Sequence, residues 1–161
     1  MNEILKFLKD LEIDYDLYEH PPIYRVGDDT SLGVKIPGHQ TKNLFLKDKK
    51  SKKFFLVSMS QDSKMDLKEF GKKLGGMKFS FGKAEDLKSF LNVEPGSVSI
   101  FGKIFDTDSE VELIVDQKLL DAESVAFHPN LNTQTLVVDR KGFYKYLNQF
   151  HFSNFDFNLF S

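Results

Sequence analysis

The chain has 161 residues, of which 40% are hydrophobic, and a formal net charge of −2 from 22 basic and 24 acidic side chains. This length is typical of one domain with a buried core, so we expect a single domain over residues 1–161. The lack of cysteine excludes disulfides, thiolate catalysis and cysteine-ligated zinc. The charge balance excludes a uniformly basic nucleic-acid coat, so that any RNA contact must be local.

The N-terminus lacks a basic start followed by a hydrophobic stretch, and no apolar run is long enough to cross a bilayer. The sequence therefore predicts a cytoplasmic protein without membrane contact.

The first half of the chain predicts a helix, a short strand, a loop and a hairpin. Apolar residues recur at helical spacing from Ile4 to Leu11, and Tyr15 and Leu17 alternate with aspartates as in a strand. A loop continues to Gly38, after which two apolar strands flank a turn rich in lysine. The lysines of this turn are Lys47, Lys49, Lys50, Lys52 and Lys53.

Two interpretations of these lysines remain open. Lysines at a hairpin tip keep the turn soluble and protect a sheet edge from aggregation. They also suit contact with nucleic-acid phosphates, which makes Lys47, Lys49 and Lys50 the RNA-binding candidates.

The second half predicts helices and strands in alternation. Asp66 resembles a helix cap, Phe79 and Phe81 alternate as a strand, and a further helix ends near Asn92. The later predicted elements are a hairpin of Ser97–Phe105 with Val111–Val115, strands over Val125–Phe127 and Thr135–Val138, a helix capped by Asp139, and a strand over Phe155–Leu159. This mixture predicts an α+β fold with a curved, mixed, mostly antiparallel sheet and helices packed against it.

Lys42 is the first residue that could carry chemistry. It follows Gly38-His39-Gln40-Thr41, predicted as a loop, and precedes apolar Leu44, which places its ammonium at the start of a strand. A lysine there can simply extend towards solvent. A compact positive charge at this position also suits a phosphate or a polarised ester oxygen.

His128 ends a predicted strand and precedes a proline, and Asn132 follows closely. Both could be ordinary turn residues. Because triads are defined by geometry, Ser97 or Ser99 with His128 and Asp106 is a further alternative. Phosphate-loop, dinucleotide and zinc-helix motifs do not occur, so we expect neither a cofactor nor a metal.

Four segments in this order resemble the YbaK/ProX-type aminoacyl-tRNA deacylases, in particular the PrdX-like branch, which is similar to the editing domain of prolyl-tRNA synthetase. They are Tyr18–Pro21, Thr41–Asp48, Val93–Ser97 and Phe127–Thr133. The resemblance implies a YbaK-like fold and hydrolysis of the ester that joins an amino acid to tRNA. Alanine on proline tRNA is the favoured substrate that it implies.

The resemblance also implies roles for individual residues. Lys42 would hold the terminal phosphate or the ester, and the loop of Gly96 and Ser97 would position water. The family loop reads Gly, three residues, Pro, whereas this chain has Ile100 in place of the proline, which removes a fixed φ angle and adds an N–H. The implied substrate-binding residues are His20, Asn43, Val98, Ile100, Phe127, His128 and Asn132.

The partners implied are the acceptor end of a tRNA that carries an amino acid and, beyond it, prolyl-tRNA synthetase. Two other functions stay open. One is a binding module of the same fold that captures an aminoacyl-tRNA end or an amino acid without turnover. The other is a small esterase unrelated to tRNA.

Overall fold

The computed structural model describes residues 2–20, 36–127 and 133–157. The helices are α1 (Asn2–Asp10), α2 (Leu67–Lys73), α3 (Ala84–Leu91), α4 (Gln117–Asp121) and α5 (Arg140–Leu147), with a 3-10 helix over Ile100–Phe105. The strands are β1 (Asp16–Glu19), β2 (His39–Asp48), β3 (Phe54–Ser60), β4 (Phe79–Phe81), β5 (Val111–Asp116), β6 (Ser124–Phe127), β7 (Gln134–Asp139) and β8 (Phe152–Phe155). Among these helices, none has both the length and the apolar character needed to span a membrane.

The described strands form one sheet in the order β1-β7-β6-β2-β3-β5-β8, and β4 also pairs with β2. Four pairings are antiparallel (β1–β7, β6–β7, β2–β3 and β2–β4) and three are parallel (β2–β6, β3–β5 and β5–β8). The predicted α+β fold with a mixed, mostly antiparallel sheet is therefore confirmed.

The two faces of the sheet bury different clusters. On the first, which we call the core face, Phe45, Leu56 and Leu113 pack in one cluster with residues of α1, α3, α5 and the 3-10 helix. The opposite face, which we call the site face, carries Leu46 and Val57 of a second cluster that includes α2. A third, small cluster covers the site face of β6 and β7 and consists of Ile36, Ala126 and Val137, with Tyr18 against it.

Helix ends follow local sequence signals. The Asp66 carboxylate accepts the N–H of Glu69 at 3.1 Å, and Asp139 accepts the N–H of Gly142 at 2.7 Å. Each carboxylate thus satisfies an N–H that the first helical turn leaves without a partner. Asn92 ends α3 in the left-handed conformation, with φ of 54°. These predicted helix boundaries are confirmed.

The first strand of the hairpin predicted around residues 106–109 is wrong, because Ile100–Phe105 forms the 3-10 helix. The Ser99 hydroxyl accepts the N–H of Phe101 at 3.1 Å and caps this helix. The Tyr146 hydroxyl of α5 donates to the carbonyl of Ile100, the first residue of the 3-10 helix, at 2.8 Å. That second bond joins residues 46 apart in sequence, so alternation of side chains could not reveal it.

Two further boundaries differ from the prediction. His39, Gln40 and Thr41, predicted as loop, belong to β2, where they pair with β6 or β3. The last strand covers Phe152–Phe155 and pairs with β5, while Leu159 lies outside the described residues. In both places pairing with a distant strand decides the conformation.

Candidate active site

Lys42 is the fourth residue of β2 and lies opposite Met59 of β3. Because side chains alternate along a strand, Lys42 shares the site face with Leu44 and Leu46. Its side chain is half-buried. An ammonium therefore stands on the site face at the margin of an apolar cluster.

Two carboxylates influence the pKa of the Lys42 ammonium. Asp116 ends β5, and Asp62 lies just beyond the end of β3. Partial burial lowers the pKa of the Lys42 ammonium below its ordinary value, whereas the charges of Asp62 and Asp116 act to raise it. In the described ranges, no hydrogen-bond acceptor contacts the ammonium of Lys42. A partly buried cation without a direct partner among the described residues is suited to an anionic ligand.

Asp116 is fully buried, and both its carboxylate oxygens are occupied. One oxygen accepts the N–H of Ser60 at 2.9 Å and the hydroxyl of Ser63 at 2.6 Å, and the other accepts the N–H of Lys118 at 3.0 Å. Asp116 thus provides a fixed negative charge near Lys42 instead of a free general base.

His20, a predicted substrate-binding residue, lies beside β7. Its ring nitrogen Nε2 hydrogen-bonds the Thr135 hydroxyl at 2.8 Å, and the backbone N–H of His20 donates to the Thr133 carbonyl at 2.9 Å. The side chain is buried, two residues after Tyr18 of the third cluster. Alternation places His20 on the same face of the sheet as Lys42.

Asn43, also predicted to bind substrate, points to the core face. Its side-chain carbonyl accepts a hydrogen bond from the Ser58 hydroxyl. On the same face, Nε2 of His39 lies 2.7 Å from the Ser60 hydroxyl. Ser60 is fully buried, which makes this pair unsuited to nucleophilic attack. The structure therefore separates Asn43 from the side of the sheet that carries the Lys42 ammonium.

The loop of Gly96 and Ser97 begins with a turn in which Gly96 has φ of 89° and Ser97 donates its N–H to the Glu94 carbonyl at 3.1 Å. A positive φ of this size suits glycine. After this turn, Ile100 is completely buried in the core-face cluster, and Val98 packs against the same cluster. The side chains of Val98 and Ile100 thus lie on the face opposite to Lys42.

Phe127 is buried on the core face, where its ring meets Phe101 and Phe143 at 5.5 Å between centroids. The strand that it ends was predicted, and β6 confirms it. His128 and Asn132 lie outside the described residues.

The alternative triad would need Asp106 with either Ser97 or Ser99, and both Asp106 and Ser99 have other partners. Ser99 caps the 3-10 helix. Asp106 forms a buried ion pair with Lys103 at 2.6 Å. Their contacts therefore favour structural roles.

The lysine-rich turn joins β2 to β3, as predicted. The Lys47 ammonium lies 5.4 Å from the centre of the Phe54 ring. Lys50 donates to the Gly76 carbonyl at 3.1 Å, and Lys53 pairs with Glu112 at 3.5 Å. The turn is therefore anchored to its neighbours while its lysines remain at the surface.

Sequence reasoning missed Asp62 and Asp116 as neighbours of Lys42. A carboxylate directly after the apolar strand Val111–Val115 could have drawn attention to Asp116. Asp62 carries no such signal, because only the pairing of β2 with β3 brings it near Lys42. Within the part of the chain that the structure describes, no group of three or more acidic or histidine side chains is placed to hold a metal ion.

Comparison with known proteins identifies similar chains. The family model of the aminoacyl-tRNA editing domain matches residues 20–146. The prolyl-tRNA editing protein ProX of Acetoanaerobium sticklandii is 36% identical over 135 residues, which cover 84% of this chain and 82% of ProX. Prolyl-tRNA synthetase associated domain-containing protein 1 of Xenopus laevis is 32% identical over 149 residues, which cover 90% of this chain and 88% of that protein.

Solved structures agree in fold. A hypothetical protein known from its crystal structure superimposes with a TM-score of 0.74 at 16% identity, covering 96% of this chain and 97% of its own. A proposed trans-editing enzyme for prolyl-tRNA synthetase gives a TM-score of 0.70 at 15% identity, covering 96% of this chain and 92% of its own. At these identities the likeness concerns the fold alone.

Proposed function

The chain belongs to the aminoacyl-tRNA editing family and is an aminoacyl-tRNA deacylase, and we propose that it acts in trans on proline tRNA mischarged with alanine. The single observation that carries this proposal in the structure is Lys42, an ammonium on the site face with a lowered pKa and no direct partner among the described residues. We propose one editing domain over residues 1–161, with the acceptor end of an aminoacyl-tRNA as its ligand and prolyl-tRNA synthetase as a further partner.

The physical need for such an activity lies in the size of the two amino acids. A synthetase pocket built for proline cannot sterically refuse alanine, and a lost methylene contact gives only about 1–3 kcal/mol of discrimination. A second pocket sized for alanine refuses proline by steric clash. The correctly charged tRNA is thereby spared.

In the proposed reaction, water attacks the ester carbonyl carbon, and the carbonyl oxygen becomes negatively charged. Lys42 stabilises this oxygen or the neighbouring phosphate. When the intermediate collapses, the bond to the ribose oxygen breaks and free alanine leaves. The proton lost by the water reaches the ribose oxygen through the adjacent ribose hydroxyl of the substrate. Asp116 takes no proton in this scheme, because both its oxygens are occupied.

The loop of Gly96 and Ser97 is proposed to position the water through its backbone groups. Ser97 is half-buried and Gly96 is exposed, so both are open to a ligand, although the following Ile100 is buried on the core face. That burial, together with the missing proline, favours the second candidate function, in which the same domain binds an aminoacyl-tRNA end without hydrolysing it.

Single-turnover deacylation separates these functions. Proline tRNA charged with alanine, serine, cysteine or proline is mixed with excess protein, and the remaining ester is measured over time. We expect rapid loss of the alanyl ester and little loss of the prolyl ester. Equal hydrolysis of the alanyl and prolyl esters would contradict the substrate assignment, and tight binding with no hydrolysis would identify a binding module.

A further inference from the structure

Charge is distributed very unevenly along this chain. Residues 47–83 contain eleven lysines and four acidic residues, whereas the rest of the chain contains eleven basic and twenty acidic residues. The overall charge of −2 therefore conceals one strongly basic segment and an acidic remainder. Such a segment can attract a polyanion locally, even though the whole chain repels it weakly.

The fold gathers part of this segment into one surface. The Lys49 N–H donates to the Lys78 carbonyl at 2.9 Å, and the Lys78 N–H donates to the Asp48 carboxylate at 2.9 Å. Lys50 reaches the Gly76 carbonyl at 3.1 Å. The β2–β3 turn and the loop between α2 and β4 thus lie side by side. We call this the lysine surface, and it consists of the exposed residues Lys49, Lys50, Lys52 and Lys78.

No described residue supplies an acidic partner to the lysine surface. In the described ranges, none of its four lysines forms an ion pair. The one carboxylate among them, Asp48, is buried and accepts hydrogen bonds from the Ser51 hydroxyl and from three backbone N–H groups. The positive charge is therefore available to an external anion.

An exposed aromatic ring borders this surface. Phe81 ends β4 and is 61% exposed, although its neighbour Phe79 is buried in the second cluster. Phe81 pairs with Leu46 of β2, so alternation directs both Phe81 and Lys42 to the site face. A single exposed aromatic residue is ordinary. Its position along β2, between the lysine surface and the Lys42 ammonium, distinguishes this one.

The spacing along β2 fits a single-stranded nucleic acid. Leu46, which pairs with Phe81, lies four residues after Lys42, or about 13 Å along the strand. Proteins that bind single-stranded nucleic acids usually place lysines along the sugar-phosphate backbone and stack an aromatic ring on a base. A few unpaired nucleotides are enough to connect the two positions.

We propose that the lysine surface binds acceptor-stem phosphates of tRNA and that Phe81 stacks on an unpaired nucleotide of the 3′ end that leads to Lys42. This inference rests on the proposed function, since it takes Lys42 as the end point of the tRNA. It adds Phe81, Lys52 and Lys78 to the contacts expected from the sequence. The favoured occupant is RNA because the surface is basic, its lysines form no ion pair in the described ranges, and an exposed aromatic ring borders it. Docking of the acidic remainder of a second copy is an outcome that the test separates from RNA binding.

The test measures the binding of uncharged proline tRNA by fluorescence anisotropy over a series of salt concentrations. One variant combines Lys49→Gln, Lys52→Gln and Lys78→Gln. Its control combines Lys6→Gln, Lys9→Gln and Lys141→Gln, which removes the same charge from exposed lysines on α1 and α5. We expect the first variant to bind at least tenfold more weakly and its salt slope to fall by about 2–3. If the two variants had equal tRNA affinities and equal salt slopes, the proposal that the lysine surface binds tRNA would be wrong.

Phe81 is tested with tRNA that lacks its unpaired 3′ nucleotides. For the wild-type protein we expect this truncation to weaken binding about tenfold. Phe81→Ala should bind intact and truncated tRNA equally, while Phe81→Tyr should keep the difference, because it keeps the ring. If truncation weakens Phe81→Ala as much as the wild type, the stacking contact is wrong. A Phe81→Ala variant that changes the mass of the free protein and not its tRNA affinity would instead assign the ring to self-association.

These measurements use uncharged tRNA, so they do not depend on hydrolysis. Absence of deacylation with normal tRNA binding would remove the proposed function and leave the surface intact. Normal deacylation together with unaltered tRNA binding by all variants would remove the lysine surface and leave the proposed function intact.

Discussion

Lys103 is buried and Lys42 is half-buried, and the surroundings of the two ammonium groups differ completely. The Lys103 side chain is 5% exposed and donates to Asp106 at 2.6 Å and to the Val111 carbonyl at 2.7 Å. Lys42 is half-buried, feels Asp62 and Asp116 at longer range, and has no hydrogen-bond acceptor in the described ranges. The charge of Lys103 is satisfied by the fold, whereas the charge of Lys42 has no direct partner among the described residues.

The difference has a physical basis. Asp106 also accepts the N–H groups of Glu110 and Val111, at 2.9 and 2.8 Å, so the ion pair closes the turn before β5. A buried pair of this kind fixes local structure. Near Lys42, Asp116 is instead committed to Ser60, Ser63 and Lys118. Among the described residues, the Lys42 ammonium is therefore left without a hydrogen-bond acceptor, and we propose that an anionic ligand supplies one.

Lys103 is the lysine with a structural role, and its removal should give the largest loss of stability. Lys103→Ala leaves the Asp106 charge buried without its partner, and we expect a loss of about 3–5 kcal/mol in the free energy of unfolding. Denaturant titration followed by circular dichroism measures it. Lys103→Met combined with Asp106→Asn removes both charges and keeps an acceptor for the backbone, so it should recover more than half of the loss. A loss below 1 kcal/mol for Lys103→Ala would show that this pair contributes little.

Lys42→Met tests the functional member. We expect the single-turnover rate to fall about 10²–10³-fold, as when one donor to a developing oxyanion is removed. Stability should remain equal or increase near neutral pH. Because the folded state lowers the pKa of Lys42, the unfolded state holds this proton more tightly, and the charge costs stability below the folded-state pKa.

The same variant has a pH signature. Wild-type stability should gain a contribution as pH rises from the lowered pKa of Lys42 towards its ordinary value, and Lys42→Met should lack that gain. Melting temperatures over a pH series provide the measurement. A folded Lys42→Met protein with a normal deacylation rate would remove Lys42 from the site.

Asp62→Asn sharpens the comparison by changing only the surroundings of Lys42. Asp62 is exposed, so its loss should not affect folding. Its charge raises the pKa of Lys42, so the variant should lower that pKa further and move the alkaline limb of the rate profile to lower pH by a fraction of a unit. Rates are corrected for spontaneous ester hydrolysis, and Asp108→Asn, another exposed aspartate, is the control. The same shift in both variants would exclude a specific effect on Lys42.

Ile100→Pro probes the 3-10 helix that carries Lys103 and should have the smallest effect. The position directly follows the Ser99 cap, where proline fits the start of a helix well. Loss of buried apolar surface opposes this gain by about 1 kcal/mol. We expect melting temperature and single-turnover rate to stay close to those of the wild type. A large fall in both would mean that this loop depends on the Ile100 side chain or its N–H.

Local signals in the sequence were sufficient for most elements. The Asp66 and Asp139 caps and the lysine-rich hairpin turn were all predicted from neighbouring residues and are confirmed. The predictions from the sequence were wrong or incomplete where contacts between distant residues decide the conformation. The 3-10 helix depends on Tyr146, and α4 follows a cap by Asp116 at the end of a strand, which was not anticipated.

The candidate site shows the same limit. Lys42 could be singled out because a lysine beside an apolar strand is visible in the sequence. The side of the sheet that each residue faces was not visible, since it depends on the register of β2 with β3. Asn43 and Lys42 are neighbours in sequence, yet the register sends them to opposite faces. Asp116 approaches Lys42 only because β5 pairs with β3.

Asp48 has a consequence for the kinetics of recognition. Hydrogen bonds from the Ser51 hydroxyl and the Lys78 N–H hold the pKa of the Asp48 carboxyl well below its ordinary range, so the two loops that it joins stay together at acid pH values where ordinary carboxylates take up protons. Their conformational entropy is lost during folding and not at the encounter with a polyanion. Association should therefore proceed without a loop-ordering step, with a rate set by electrostatic attraction and hence by ionic strength.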